Sequence, residues 1–266
     1  MSVSPKIAVV TGASSGIGAV YADRLAARGY DLVLVARRAD RLAALSGSLS
    51  SRHGVNVKVL AADLEKEADL SEVERILLND GSVHMLVNNA GVGRLRPLAQ
   101  SSSADSASQL ALNINALTRL TQAVLPGFLA RNDGIIINIA SALAVHSLPI
   151  SAVYSGTKAY VLAFTRGLQA ELANTGVRVH AVLPASVATE IWSERVSGIP
   201  LSALKQESVM SAEDCVDAAL AGLDMGEAVT WPSVADASLW TAFDVARSNL
   251  FAATQVGAPA PRYIKP

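Results

Sequence analysis

Short β-branched runs recur along the chain at residues 7–10, 31–35, 55–60, 83–87, 134–139 and 177–183, with longer helical patterns between them. Brief, nearly continuous apolar runs suit strands buried on both faces, and helical connections suit parallel pairing. The expected architecture is a single α/β domain over residues 1–266, a doubly wound parallel sheet with helices on both faces. Ligands of such sheets bind beyond the carboxyl ends of the strands, so functional side chains should gather there.

The first helix is expected at 17–28, closed by Gly29. Two longer patterns, at 105–131 and 152–174, flank the run 134–139 and are rich in Ala and Leu, surfaces suited to packing against a second subunit. Residues 186–210 break the alternation with Trp192, Gly198 and Pro200, and are expected to form a substrate loop, with Trp192, Ile199 and Leu201 favouring a partly apolar pocket. A helix at 212–223, a last strand at 228–231 and a Pro- and Ala-rich tail at 257–266 complete the expectation.

Among the 266 residues, 51% are hydrophobic and 17% charged, and the net charge is −1. That balance supports one sizeable core and lacks the basic footprint of a nucleic-acid or anionic-membrane binder. The single cysteine, Cys215, excludes an intrachain disulfide framework, and no His–carboxylate spacing suggests a metal. No apolar stretch reaches membrane-spanning length, and Met1 to Lys6 lacks a charged head followed by an apolar core, so a cytoplasmic location is expected.

The sequence Thr11-Gly12-Ala13-Ser14-Ser15-Gly16-Ile17-Gly18 joins the first strand to the first helix. Glycines let the backbone turn tightly and approach a ligand, and the free N–H groups of a helix start attract an anion. In this context the turn is that of a Rossmann-like dinucleotide site, although a tight turn without a ligand also accounts for the glycines alone. Beyond the second strand, where an acidic residue would bind the adenosine ribose of NAD, stand Ala36, Arg37 and Arg38. An arginine fork matches a 2′-phosphate, which points to NADP(H).

Tyr154 and Lys158, four apart at the start of the 152–174 pattern, leave one helix face together. A phenol of pKa ~10 costs about 4 kcal/mol to ionise at neutral pH. An ammonium at ~4 Å in an effective dielectric of ~20 offsets about as much, so the pair is suited to moving a proton. A surface Tyr–Lys pair gives the same spacing.

Together the turn 11–18, Asn88-Asn89-Ala90-Gly91, Ser141, Tyr154 and Lys158 resemble the short-chain dehydrogenase/reductase family over roughly residues 6–189. The resemblance implies hydride transfer between NADP(H) and a carbonyl or secondary alcohol, and assembly through the two long helices as a homodimer or homotetramer. Tyr154 would be the acid or base and Ser141 would hold the substrate oxygen. Lys158 would lower the Tyr154 pKa and bind the nicotinamide ribose. Asn113, rather than Asn115, would kink its helix and position a water. Cofactor contacts would come from Gly12, Ser14, Ser15, Gly16, Ile17 and Gly18. Further contacts would come from Asp63 and Leu64 at the adenine, Asn89 to Gly91, and Val187 with Thr189 at the carboxamide. Asp63 is equally placed to cap the next helix. Pro184-Ala185 departs from the family's Pro-Gly, and His84 stands where the family often has aspartate. A non-catalytic NADP(H) sensor and a redox-neutral nucleotide-sugar epimerase or dehydratase are the other functions open to such a chain.

Overall fold

The computed structural model describes residues 6–264; residues 1–5 of the N-terminal head and the last two residues of the tail lie outside it. The chain divides into two compact units, one through Ser233 and one from Val234 onward.

In the first unit, β1 (Ile7–Thr11), α1 (Gly16–Ala27), β2 (Asp31–Ala36), α2 (Ala39–His53), β3 (Val57–Ala61), α3 (Glu67–Asn79) and β4 (Val83–Asn88) form the first half. The second half holds α4 (Ser103–Leu110), α5 (Leu117–Arg131), β5 (Gly134–Ile139), α6 (Ala152–Glu171), β6 (Val177–Val182), β7 (Ser186–Val187), β8 (Val209–Met210), α7 (Ala212–Asp224) and β9 (Val229–Thr230). Seven strands make one parallel sheet in the order β3-β2-β1-β4-β5-β6-β9. The doubly wound α/β expectation is met.

Each strand sends alternate side chains to opposite faces, and both faces are covered. Ala8 and Val10 of β1 join a cluster with Tyr21 and Leu25 of α1, Leu42 of α2 and Val216 and Leu220 of α7. Val9 joins the opposite cluster with Val73 of α3 and Leu120 and Phe128 of α5. Double burial is why the strands read as continuous apolar runs. The chain order reverses between β1 and β4, so the glycine turn after β1 and the Asn-Asn-Ala-Gly segment after β4 open side by side.

Several boundaries differ from expectation for local reasons. β3 starts at Val57 rather than Val55, because Gly54 ends α2 in the left-handed region and Asn56 binds the Asp31 carboxylate through its backbone N–H (2.8 Å) and its amide (3.0 Å). The expected 105–131 helix is α4 and α5 joined by a π-helical segment, Ala111–Ala116. Residues 186–210 are not wholly irregular, since β7 and β8 pair in parallel at its two ends.

The second unit carries a helix, α8 (Ser238–Ala253), in a stretch to which the periodicity assigned no element. None of its residues is buried, which explains why no core-facing stripe marks it in the sequence. Among the described residues, no helix is long and apolar enough to cross a membrane.

Candidate active site and nucleotide groove

The turn after β1 needs its glycines for distinct reasons. Gly12 and Gly16 take positive φ, +66° and +54°. A Cβ on Gly18 would lie 2.4 Å from the Gly12 carbonyl oxygen, so the helix start can approach the turn only without a side chain. Ser15 begins α1 with no side-chain cap, and the first-turn N–H groups have no carbonyl partners within the helix. Because the obstruction is backbone, Gly18→Ala should lower the thermal midpoint by several degrees, equivalent to about 2 kcal/mol, read by a melting curve.

Thr11 and Asn89 fix this turn against the end of β4. Thr11 Oγ1 accepts the N–H groups of Asn89 and Ala90, both at 3.0 Å. The Asn89 amide donates to the carbonyls of Thr11 (2.8 Å) and Gly12 (3.3 Å). Asn88, one residue earlier, is buried within the sheet, where its amide donates to Thr121 (3.0 Å) and Asn138 (2.9 Å). Adjacent asparagines thus have different tasks: Asn88 ties β4 to β5 and α5, while Asn89 ties the groove wall to the phosphate turn. The glycines alone do not single out Thr11, whose place at the head of their motif marks it as the residue that ties the turn to β4.

The π turn places Asn113 inside and Asn115 outside. Asn113 Oδ1 accepts the Val92 N–H (2.9 Å), and its amide donates to the Val92 carbonyl (2.8 Å) and Thr157 Oγ1 (3.0 Å). This clamps the segment past Gly91 to α6, beside Lys158. A Cβ on Gly91 would stand 3.2 Å from Asn113 Oδ1 and 3.6 Å from Lys158 Nζ.

Lys158 is only 6% exposed, and its ammonium donates to the Ile139 carbonyl at 2.8 Å and lies 5.8 Å from the Tyr154 ring centre. Burial pulls Lys158 down to about 8. Tyr154 is pushed up to about 12, chiefly by desolvation, with a hydrogen bond from Ser141 opposing the rise. The simple picture of an ammonium at ~4 Å lowering the phenol is therefore not what this structure contains. The ammonium points to Ile139, and burial disfavours the charged form of both groups, leaving the phenol protonated and the lysine still largely charged at neutral pH. Ser141 follows β5, is 8% exposed, and its Oγ also accepts the Leu143 N–H at 3.1 Å.

Two cavities meet along this site. A groove of about 1100 Å³ is bordered by Gly12, Ser14, Ser15, Arg37, Arg38, Asp63, Leu64, Ala90 and Gly91. A smaller cavity of about 280 Å³ joins Ser141, Tyr154 and Lys158 with Ile17, Val187 and Thr189. Gly91, Val92, Ile191 and Trp192 line both. The apolar wall of the smaller cavity includes Trp192, but not Ile199 or Leu201; Leu95, Leu143 and Leu148 take that place. Leu201 instead turns back, its N–H donating to the Trp192 carbonyl (3.2 Å). Asp63 does not cap α3, whose first flanking residue is Lys66; its carboxylate accepts the Glu65 N–H at 3.2 Å. His146 is exposed away from the cavity wall, and His84 bonds the Ser82 carbonyl through Nδ1 (2.8 Å).

A glycine-lined nucleotide groove opening onto a Ser, Tyr and Lys cavity at the switch point of a parallel sheet defines an α/β dinucleotide-dependent protein class. The sequence model of the short chain dehydrogenase family matches residues 6–199, and the chain belongs to that family. It is 37% identical over 188 residues, 69% of this chain, to the very-long-chain 3-oxoacyl-CoA reductase of Anas platyrhynchos. The aligned part spans 60–62% of the length of that protein and its two Danio rerio counterparts. The fold is similar to a short-chain dehydrogenase from Sphingobium yanoikuyae solved with NADPH, with 43% identity, a TM-score of 0.93, and 97% of this chain and 100% of the other covered. It is also similar to a bulky-bulky ketone specific alcohol dehydrogenase from Comamonas testosteroni, with 37% identity, a TM-score of 0.90, and 99% and 100% covered.

Proposed function

We propose that this protein is an NADP(H)-dependent oxidoreductase that reduces a ketone or aldehyde to an alcohol, or catalyses the reverse, within the cytoplasm as a homo-oligomer. One observation carries the reading: Ser141, Tyr154 and Lys158 line a single apolar cavity that shares Gly91 and Trp192 with the nucleotide groove. A dinucleotide fits this arrangement. Gly12 and Gly18 leave no room for a Cβ in the phosphate turn, and Arg37 and Arg38 border the groove where an adenosine 2′-phosphate would meet cations.

The nicotinamide, when bound, supplies the hydride. The chain's own residues do the rest. Ser141 Oγ and the Tyr154 hydroxyl would converge on the carbonyl oxygen, and Tyr154 would donate its proton there. A phenol held near 12 is protonated at neutral pH, the form required for reduction. Lys158 would stabilise the tyrosinate left behind and hold the ribose. Asn113 would hold the Gly91–Val92 wall in register with α6. Residues 186–210 would serve as the substrate loop, with Trp192 in the cavity wall.

Leu95, Leu143, Leu148 and Ile191 around the polar pair favour a carbonyl flanked by apolar groups. The names of the similar proteins, a 3-oxoacyl-CoA reductase and an alcohol dehydrogenase for bulky ketones, agree with such a substrate class. The buried free thiol of Cys215 accords with a reducing compartment. The test is NADPH oxidation across a panel of apolar aldehydes and ketones, in which turnover is expected. NADPH binding with no reduction across the panel would favour a sensor, and product formed without net NADPH consumption would favour an epimerase or dehydratase. In the same assay Arg37→Asp should reduce the preference for NADPH over NADH by about tenfold or more; an unchanged preference would remove Arg37 from the phosphate site.

A further inference from the structure

The segment leaving β7 reaches back across the nucleotide groove to the start of α2. There Glu190 Oε2 accepts from Arg38 Nη1 at 2.5 Å, and its other oxygen accepts from Arg41 Nη1. Arg38 also donates from Nε and Nη2 to Ser14 Oγ, at 3.1 and 2.9 Å, and from Nη2 to Ser15 Oγ at 2.7 Å. Two guanidiniums therefore converge on the Glu190 carboxylate beside the groove, while the hydroxyls of the phosphate turn hold one of them, Arg38, through its Nε and Nη2 groups.

Such a cluster is matched to an anion with several acceptor oxygens. Side-chain exposures are 37% for Arg38, 46% for Arg41 and 51% for Glu190, so water reaches all three. Ion pairs in water exchange readily for a better anion. A phosphate monoester carries more charge and more acceptors than a carboxylate, and it cannot share both arginines with Glu190 without placing like charges in contact.

We infer that Glu190 occupies the place of the cofactor's 2′-phosphate and sets the balance between NADPH and NADH by competing for Arg38 and Arg41. The inference rests on the proposed NADP(H) function. A cofactor without the 2′-phosphate leaves the Glu190 pairs intact. One that carries the phosphate must displace Glu190, so part of its favourable contact with the arginines is spent on exchange. Arg41 thereby joins Arg38 as a phosphate-binding residue, a role its position on the first turn of α2 did not suggest from sequence.

The test is titration of NADPH and NADH, separately, into wild type and Glu190→Gln, followed by the fluorescence of the reduced nicotinamide, with melting curves showing that both proteins are folded. Glutamine keeps the shape and removes the charge. The variant should bind NADPH about tenfold more tightly and NADH within about twofold of wild type. An unchanged NADPH-to-NADH ratio overturns the inference, as does weaker NADPH binding, which would make Glu190 a clamp on the bound cofactor. A folded wild type that binds neither dinucleotide overturns the proposed function itself, and the inference with it.

Discussion

Tyr154→Phe should lower kcat for carbonyl reduction by about 10²–10⁴-fold, the usual range for losing a positioned general acid, while NADPH affinity stays near that of wild type. Phenylalanine keeps the ring that packs against Gly93, whose added Cβ would stand 3.2 Å from it, and removes only the hydroxyl. In the proposed site Ser141 would remain as a hydrogen-bond donor to the substrate oxygen, but a serine hydroxyl is too weak an acid to replace the phenol. The loss should therefore fall on kcat more than on KM. Steady-state kinetics with both substrates varied, alongside NADPH titration, separates these effects. A variant with wild-type kcat would remove Tyr154 as the proton donor.

The second large effect joins function to stability. Lys158→Met should abolish most activity and yet make the folded protein more stable at neutral pH. Burial brings the lysine from its usual 10.5 down to about 8, so the unfolded chain binds this proton more tightly than the folded one does. Stability therefore rises with pH between about 8 and 10.5, and the cost of burying the charge is present in full below pH 8. That shift corresponds to about 3 kcal/mol. The hydrogen bond to the Ile139 carbonyl offsets about 1–2 kcal/mol. The net gain expected for the variant at pH 7 is about 1–2 kcal/mol, a few degrees in midpoint for a chain of this size, and it should disappear above pH 10. Melting curves at pH 7 and pH 10.5 measure it. A variant less stable than wild type at pH 7 would mean that the buried ammonium is well accommodated, and that its low pKa is not a cost of the site.

The sheet, its parallel order of helices and strands, and the position of the site were legible in the sequence because double burial writes itself as uninterrupted β-branched runs. The glycine turn could be read because each glycine answers a backbone demand that no other residue meets. What escaped depends on contacts distant in sequence. Asn88 and Asn89 look alike as neighbours, but Asn88 turns into the sheet while Asn89, just past the end of β4, turns to the carbonyls of the glycine turn. The π turn that buries Asn113 replaces one hydrogen-bond register with another, and periodicity alone blurs it into a longer helix. Leu143 and Leu148 enter the cavity through the path from β5 to α6, whereas Ile199 and Leu201, equally apolar, pack elsewhere. The Glu190 pairs with Arg38 and Arg41 span some 150 residues of sequence, and no local pattern announces them. Helix α8 lacks a buried face and so carries none of the signal on which the other helices were recognised.

The most direct measurement is the fate of the transferred hydrogen. Reduction of an accepted ketone with NADPH deuterated at the transferring face of the nicotinamide, followed by mass spectrometry of the product, should show one deuterium on the new carbinol carbon for each cofactor oxidised. An alcohol formed without deuterium, or an isomerised product with the label retained in reduced cofactor, would contradict hydride transfer to a carbonyl held by Ser141 and Tyr154.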